Sequence, residues 1–218
     1  MRILLISGGS INIDWAADFV KINNYDKIIA VDGGLSAANL LQLIPDVIVG
    51  DFDTVSQELL EQYGRNEGCE TVRLNPVKDD TDTQYAMKMA IEMGAEEIHI
   101  IGGTGGRIDH GLANIFMLKM ALEKGVKAVM YDEINKIYVI KGHQRMKRDP
   151  MYGGYISFVQ LEGPALNVTV KGFLYNVEHF DFDTSKEYRL GVSNEFKDEE
   201  AEITIGQGMF IVTEISER

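Results

Sequence analysis

The first 130 or so residues alternate short apolar runs with stretches in which apolar side chains return every three or four positions. Ile3–Ser7, Lys27–Val31, Asp46–Val49, Glu70–Leu74, Glu97–Ile101 and Lys127–Tyr131 have strand length. Trp15–Ile22, Leu35–Leu43, Ser56–Tyr63, Thr81–Met93 and His110–Lys124 have helical spacing. This alternation predicts βαβ units and a parallel sheet, hence an α/β domain. Within Thr81–Met93, Tyr85, Met89 and Met93 recur every fourth residue beside Ala86 and Ala90, which predicts a core-facing stripe ended by Gly94. After about Asn135 the period drops to two. Tyr155–Gln160, Leu166–Lys171 and Ala201–Ile205 alternate apolar and polar residues and predict strands separated by glycine-bearing turns. The polar, glycine-bearing stretch Gly142–Gly154 marks the transition, and the expected division is an α/β domain over residues 1–134 and an all-β domain over residues 135–218.

Composition narrows the classes. With 218 residues, 45% hydrophobic and 25% charged, the chain is an ordinary globular one, and disordered or fibrous classes are excluded. Thirty-four acidic against 21 basic side chains give a net charge of −13, so a broad nucleic-acid or anionic-membrane surface would be repelled. No nucleic-acid partner and no membrane partner are expected. A single cysteine, Cys69, precludes an internal disulfide and favours a reducing, cytoplasmic setting. The first residues are too short an apolar run for a signal segment, and no later run approaches the ~20 residues of a membrane span. The sequon at Asn167 is read as accidental.

In an open parallel sheet, ligands collect at the carboxyl ends of the strands, and here those positions are rich in glycine and aspartate. Ser7-Gly-Gly-Ser10, Asp32-Gly33-Gly34, Gly50-Asp-Phe-Asp-Thr54 and Gly102-Gly-Thr-Gly-Gly-Arg107 each follow a predicted strand, and Lys78-Asp-Asp-Thr-Asp82 precedes a predicted helix. Glycine at such turns lets backbone N–H groups approach phosphate oxygens, although one such turn alone is only a tight turn. Neither a Walker A motif nor a complete GxGxxG fingerprint is present. Asp51 and Asp53 would repel each other unless a hard divalent ion sat between them; alternatively, Asp53 or Thr54 caps the helix entered near Ser56. Asp80 would satisfy the next helix cap, leaving Asp79 and Asp82 for a ligand. Lys78 and Arg107 could contact phosphates or form ion pairs with Asp79 and Asp109. His110 reads as a packing residue, and Cys69 has no partner that would make it a nucleophile.

Taken in order, Asp32-Gly-Gly, Gly50-Asp-Phe-Asp-Thr, Lys78-Asp-Asp-Thr-Asp, Gly105-Gly-Arg-Ile-Asp-His110 with Asn114, and Gly191-Val-Ser-Asn194 resemble the thiamine pyrophosphokinase family over nearly the whole chain. Thr54 stands where the family commonly has serine. The resemblance implies a Rossmann-like N-terminal domain that binds ATP and Mg²⁺, a C-terminal β-sandwich that binds thiamine and dimerises, and a homodimer with sites at the subunit interface. It implies transfer of the β,γ-pyrophosphoryl group of ATP to the thiamine hydroxyl, giving thiamine diphosphate and AMP. Carried over position by position, Asp51, Asp53 and Asp82 would hold Mg²⁺ with Asp79 nearby, Lys78 and Arg107 would contact phosphates, and Asp109 would orient Arg107 or the nucleophile. Asp32, Gly33, Gly34, Thr81, Asn114, Ser193 and Asn194 would line the substrate sites, with Phe196 the candidate for the aromatic that packs on thiamine. Two alternatives stand beside this reading: a metal-dependent nucleotide-sugar glycosyltransferase using Asp51-Phe-Asp53, and a non-catalytic nucleotide sensor.

Overall fold

The computed structural model describes residues 1–77, 79–187 and 191–216. The chain forms two compact units, Met1–Glu133 and Ile134–Arg218. The polar stretch Gly142–Gly154 falls inside the second unit, because His143–Lys147 forms a strand paired there with Glu200–Thr204.

In the first unit the strands are β1 (Arg2–Ile6), β2 (Lys27–Val31), β3 (Val47–Gly50), β4 (Glu70–Arg73), β5 (Glu97–Ile101) and β6 (Lys127–Tyr131). They pair in the order β6-β5-β1-β2-β3-β4, all parallel. The helices between them are α1 (Ile13–Ile22), α2 (Gly34–Leu40), α3 (Gln57–Gly64), α4 (Asp82–Glu92) and α5 (Ile108–Glu123). Ile3, Leu4, Leu5 and Ile6 have no exposed surface, as expected for a strand buried on both faces. Three helices start at side-chain caps, each worth about 1 kcal/mol: Asn12, Ser56 and Thr81 accept from the N–H groups of Trp15, Leu59 and Gln84. The caps differ from expectation at two places, since Ser56 leaves Asp53 and Thr54 without a capping role and Thr81, not Asp80, caps α4. The buried face of α4 is Thr83, Ala86, Met87 and Ala90. The predicted stripe of Tyr85, Met89 and Met93 is rotated from it and only partly buried, because α4 packs on β1, β2 and β3 with Ala86, Met87 and Ala90 turned inward.

In the second unit the strands are β7 (Asn135–Ile140), β8 (His143–Lys147), β9 (Tyr155–Lys171), β10 (Val177–Phe182), β11 (Gly191–Asn194) and β12 (Glu200–Ile215). The segments Tyr155–Gln160 and Leu166–Lys171 form one strand, since the positive φ of Glu162 (59°) and Gly163 (85°) kinks the chain without reversing it. Opposite this kink, the β12 register shifts between Gln207 and Met209. The first half of β9 pairs with β11 and its second half with β10, while β12 pairs along its other edge with β8 and then β7. Phe158, Phe173, Phe182 and Phe210 fill the core in edge-to-face contacts. No helix of the described residues is long and apolar enough to cross a membrane.

One polar cluster lies within the parallel sheet. His99 on β5 is 3% exposed, packs against Phe19 and Tyr131, shares a 2.9 Å hydrogen bond between Nδ1 and the Tyr25 hydroxyl, and lies 3.3 Å from Glu97. Burial lowers its pKa, outweighing the opposite pull of Glu97. Burial alone would raise Glu97, but hydrogen bonds from Lys127 and Arg2 take it down to about 2. Because the folded His99 binds its proton less readily than the unfolded residue, its neutral form contributes stability above the ordinary histidine pKa that is lost as pH falls below it. Urea unfolding of the wild type and His99→Gln at matched pH should therefore show the stability difference shifting in favour of the wild type from about pH 5.5 to 7.5, whatever other groups do to both proteins. A difference that does not change with pH would remove His99 as the cause.

Candidate functional site

Strands β5, β1, β2 and β3 are neighbours, so the loops at their carboxyl ends meet. Together with the start of α4 they enclose a cleft of about 500 Å³. Its floor is backbone: the Gly9 N–H donates to the Gly102 carbonyl at 3.0 Å, and a Cβ on Gly9 would come within 2.4 Å of that oxygen. Any larger residue would push these two loops apart.

Four carboxylates line this cleft: Asp32, Asp51, Asp53 and Asp82. Asp32 follows β2 with φ 45°, a left-handed conformation that aspartate tolerates better than most residues. Its Oδ1 accepts the Phe52 N–H at 3.2 Å, and the space it occupies is left by Gly50, where a Cβ would lie 1.7 Å from that oxygen. Asp32 and Asp82 approach within hydrogen-bonding reach of each other. Burial raises the Asp32 pKa first, the Asp82 charge raises it further, and the result is about 7. Asp51 Oδ1 accepts the Asp53 N–H at 3.2 Å, which tightens the turn between them. Asp79 is exposed and lies off the cleft lining, while Asp80 pairs with Lys88 at 2.6 Å.

On the basic side, Arg107 lines the cleft at the start of α5. It is held bidentately by Asp109, through Nε at 3.1 Å and Nη2 at 2.6 Å, and Asp109 also accepts the His110 N–H. The Arg107 hydrogen bond holds the Asp109 carboxyl down at about 2, so the pair stays charged throughout the neutral range. Asp109 thus positions Arg107 without itself lining the cleft. Lys78 lies outside the described residues.

Several expected substrate contacts prove to have internal work. Gly34 is buried against the Ile6 carbonyl, while Gly33, Thr54 and Thr81 face the cleft. Asn114 lines the cleft but donates to the Gly103 carbonyl at 2.8 Å, bracing the glycine loop. Sequence reasoning left out Thr83, whose hydroxyl shares a buried 2.8 Å hydrogen bond with Ser7, and read His110 as a packing residue, whereas it is exposed and lines the cleft. Their positions, one residue past Asp82 and one past Asp109, were the available signal.

In the second unit, a largely apolar hollow of about 450 Å³ is lined by Phe158, Phe182, Phe210, Tyr175, Val192 and Asn194 among others. The buried Asn194 side chain accepts the Tyr175 and Glu195 N–H groups and donates to the Tyr175 carbonyl, so it pins the Leu174–Tyr175 turn. Ser193 is exposed, with φ 55°, and its N–H bonds Ser157 Oγ. Phe196 is no ligand platform: it is buried and its ring packs on Phe173 at 4.7 Å.

Two models of known domains match this chain. The thiamin pyrophosphokinase catalytic domain matches residues 20–130, and the thiamin pyrophosphokinase vitamin B1 binding domain matches residues 138–210. The chain belongs to the thiamin pyrophosphokinase family. Members of this family are enzymes, and the glycosyltransferase and sensor readings give way to it. Thiamine pyrophosphokinase of Bacillus subtilis is 27% identical over 186 residues, covering 84% of this chain and 85% of that protein. The crystal structure of a thiamin pyrophosphokinase family protein from Enterococcus faecalis superposes with a TM-score of 0.82 at 28% identity, covering all of both chains. The Bacillus subtilis crystal structure gives 0.86 at 24% identity, again over both whole chains, and so supports the mixed α/β fold.

Among the described residues, no three His, Cys, Asp or Glu side chains stand ready to hold a metal ion by themselves. The crowded Asp32–Asp82 pair and the neighbouring Asp51 nevertheless make a site short of positive charge, which suits a Mg²⁺ that takes its remaining ligands from phosphates and water. In this member of the thiamin pyrophosphokinase family, Asp32 carries a carboxyl pKa raised in the fold, so its ionisation costs stability as pH rises from about 4 through 7. Asp32→Asn keeps the oxygen that accepts the Phe52 N–H and removes the repulsion. Calorimetry at pH 8 without added metal should show it melting about 2–4 °C higher than the wild type, the shift expected for about 1 kcal/mol in a chain of this size. A lower melting temperature would mean that the charge is already compensated within the protein.

Proposed function

We propose that this chain transfers the β,γ-pyrophosphoryl group of ATP to the hydroxyl of thiamine, releasing AMP and thiamine diphosphate. The observation that carries the reading is the convergence of Asp32, Asp51, Asp53 and Asp82 with a carboxylate-braced arginine on one glycine-floored cleft. Such a transfer demands little covalent chemistry from the protein. It depends on holding phosphate and hydroxyl in line and on neutralising phosphate charge.

Asp51, Asp53 and Asp82 would hold Mg²⁺, with Asp79 nearby. When bound, the ion would screen the β- and γ-phosphate charge and make the β-phosphorus easier to attack. Arg107, kept in place by Asp109, would contact a phosphate oxygen, and Lys78 is assigned a second phosphate contact by resemblance. The N–H groups of the Gly102–Gly106 turn suit the remaining phosphate oxygens. Asp32, Gly33 and Thr81 would border the substrates in the same cleft. In the second unit Ser193 would face thiamine and Asn194 would shape its pocket by fixing the Tyr175 turn. Thiamine is a cation, which an acidic cleft attracts.

The wider reading is a Rossmann-like catalytic domain, residues 1–134, and a β-sandwich domain, residues 135–218, that binds thiamine and builds a cytoplasmic homodimer with sites at the subunit interface. The parallel strand order, the paired arrays built on β9 and β12, and the lone cysteine support it.

Three measurements test this. AMP should accumulate in step with thiamine diphosphate, because attack at the β-phosphorus expels AMP; thiamine-dependent ADP would refute the reading. Asp51→Asn and Asp53→Asn should each lower kcat/KM about 100-fold or more while melting within a few degrees of the wild type, since each removes a cation ligand with little change of shape. A mixture of Asp53→Asn and Ser193→Leu subunits, exchanged into mixed dimers, should regain activity that neither variant has alone. No gain despite demonstrated exchange would show that the subunits do not share a site.

A further inference from the structure

Phe52, between the two aspartates of the β3 loop, has φ 64°, a conformation that costs a bulky residue roughly 1–2 kcal/mol. Such a turn persists only where its surroundings hold it. One hold comes from the β2 side, where Asp32 accepts the Phe52 N–H. The other comes from the opposite neighbour of β3. Arg73, the last residue of β4, pairs in register with Gly50. Its guanidinium lies over the Phe52 ring, 5.2 Å from the centroid, and its Nη1 donates to the Asp51 carbonyl at 3.3 Å.

We propose that Arg73 is a positioning residue of the cation site: by stacking on Phe52 and bonding the Asp51 carbonyl, it holds the turn that presents the Asp51 and Asp53 carboxylates, and so sets the affinity for the divalent ion. This rests on the reading that those two carboxylates bind the ion.

The stacking side chain is exposed, and the β4 backbone is tied to β3 without it, through the strand register and the Leu74 N–H to Gly50 carbonyl bond at 2.8 Å. Losing the guanidinium therefore leaves the sheet edge in place and frees the turn. Arginine suits the position because its planar group can stack and donate at once, whereas lysine can donate but offers no flat face to the ring. Asp32 and Arg73 together grip one three-residue turn from the two strands that flank it.

The test uses the full-length protein and Mn²⁺ as the probe, with the non-cleavable nucleotide α,β-methylene-ATP present and free Mn²⁺ followed by electron paramagnetic resonance. Arg73→Gln should weaken Mn²⁺ binding on the order of tenfold, from the combined loss of a stack and a charged hydrogen bond. Arg73→Lys should recover part of that loss. In the assay for AMP, the Arg73→Gln metal requirement should rise by a similar factor while kcat at saturating metal stays close to wild type, and the melting temperature without metal should hardly move. Adding Arg73→Gln to Phe52→Leu should weaken binding less than it does in the wild type, because the ring it stacks on is gone. If Arg73→Gln binds Mn²⁺ as tightly as the wild type while Asp53→Asn does not, the role of Arg73 is overturned and the carboxylate reading stands. If Asp53→Asn also binds normally, the carboxylate reading fails and this proposal fails with it.

Discussion

The constraint on which the site depends is electrostatic: carboxylates from the ends of β2 and β3 and the start of α4 crowd one cleft, and at least two of them touch. Asp32 and Asp82 meet in a half-buried setting, and burial first, then the Asp82 charge, lifts the Asp32 pKa to about 7. A fold gains nothing from such a pair. Hydrophobic residues or amides would fill the same space without the repulsion. The surrounding structure is nonetheless arranged to keep it, with Gly50 giving up a side chain to make room and Asp32 taking a left-handed backbone. Strain retained in this way, next to a cleft, supports the proposal that the group is kept for a ligand that supplies the missing positive charge.

Backbone geometry does the complementary work. The loops after β1 and β5 come so close that only glycine fits at Gly9, and their contact gives the cleft a floor of peptide groups. Asn114 braces one of these loops from within α5, and the Ser7–Thr83 hydroxyl pair ties the other to α4. Positive charge arrives at the rim on Arg107, whose geometry Asp109 fixes in advance. Preorganised in this way, the groups that would meet phosphate in the proposed reaction need not be gathered as it proceeds.

The second unit solves a different problem. Its two long strands are each kinked by residues at positive φ, which lets one pair of strands carry different neighbours along its two halves and enclose an aromatic core. The hollow that opens beside Phe158, Phe182 and Phe210 has its rim set by Asn194, whose amide is wholly engaged with the Tyr175 and Glu195 backbone. Asparagine there acts by shaping a turn, a role that the Gly191-Val-Ser-Asn194 motif does not disclose.

The sequence by itself determined the parallel-sheet elements, because burial on both faces leaves a continuous apolar run and the helices between carry a legible period. It also singled out Asp51, Asp53, Asp82 and Arg107, which the fold brings to one cleft, since loops at the strand ends of such a sheet gather at one edge. Only the tertiary structure decided which cap serves which helix, that α4 turns Met87 inward where Met89 and Met93 were expected, and that Phe196 belongs to a core. Those outcomes depend on which neighbour a side chain meets, and a one-dimensional pattern does not contain that. The same limit hid the strand of β9 behind Glu162–Gly163, where a glycine that reads as a reversal makes only a kink. It also hid the two grips on Phe52, because Asp32 and Arg73 lie 20 and 21 residues from it in sequence and become its neighbours only when β2 and β4 flank β3.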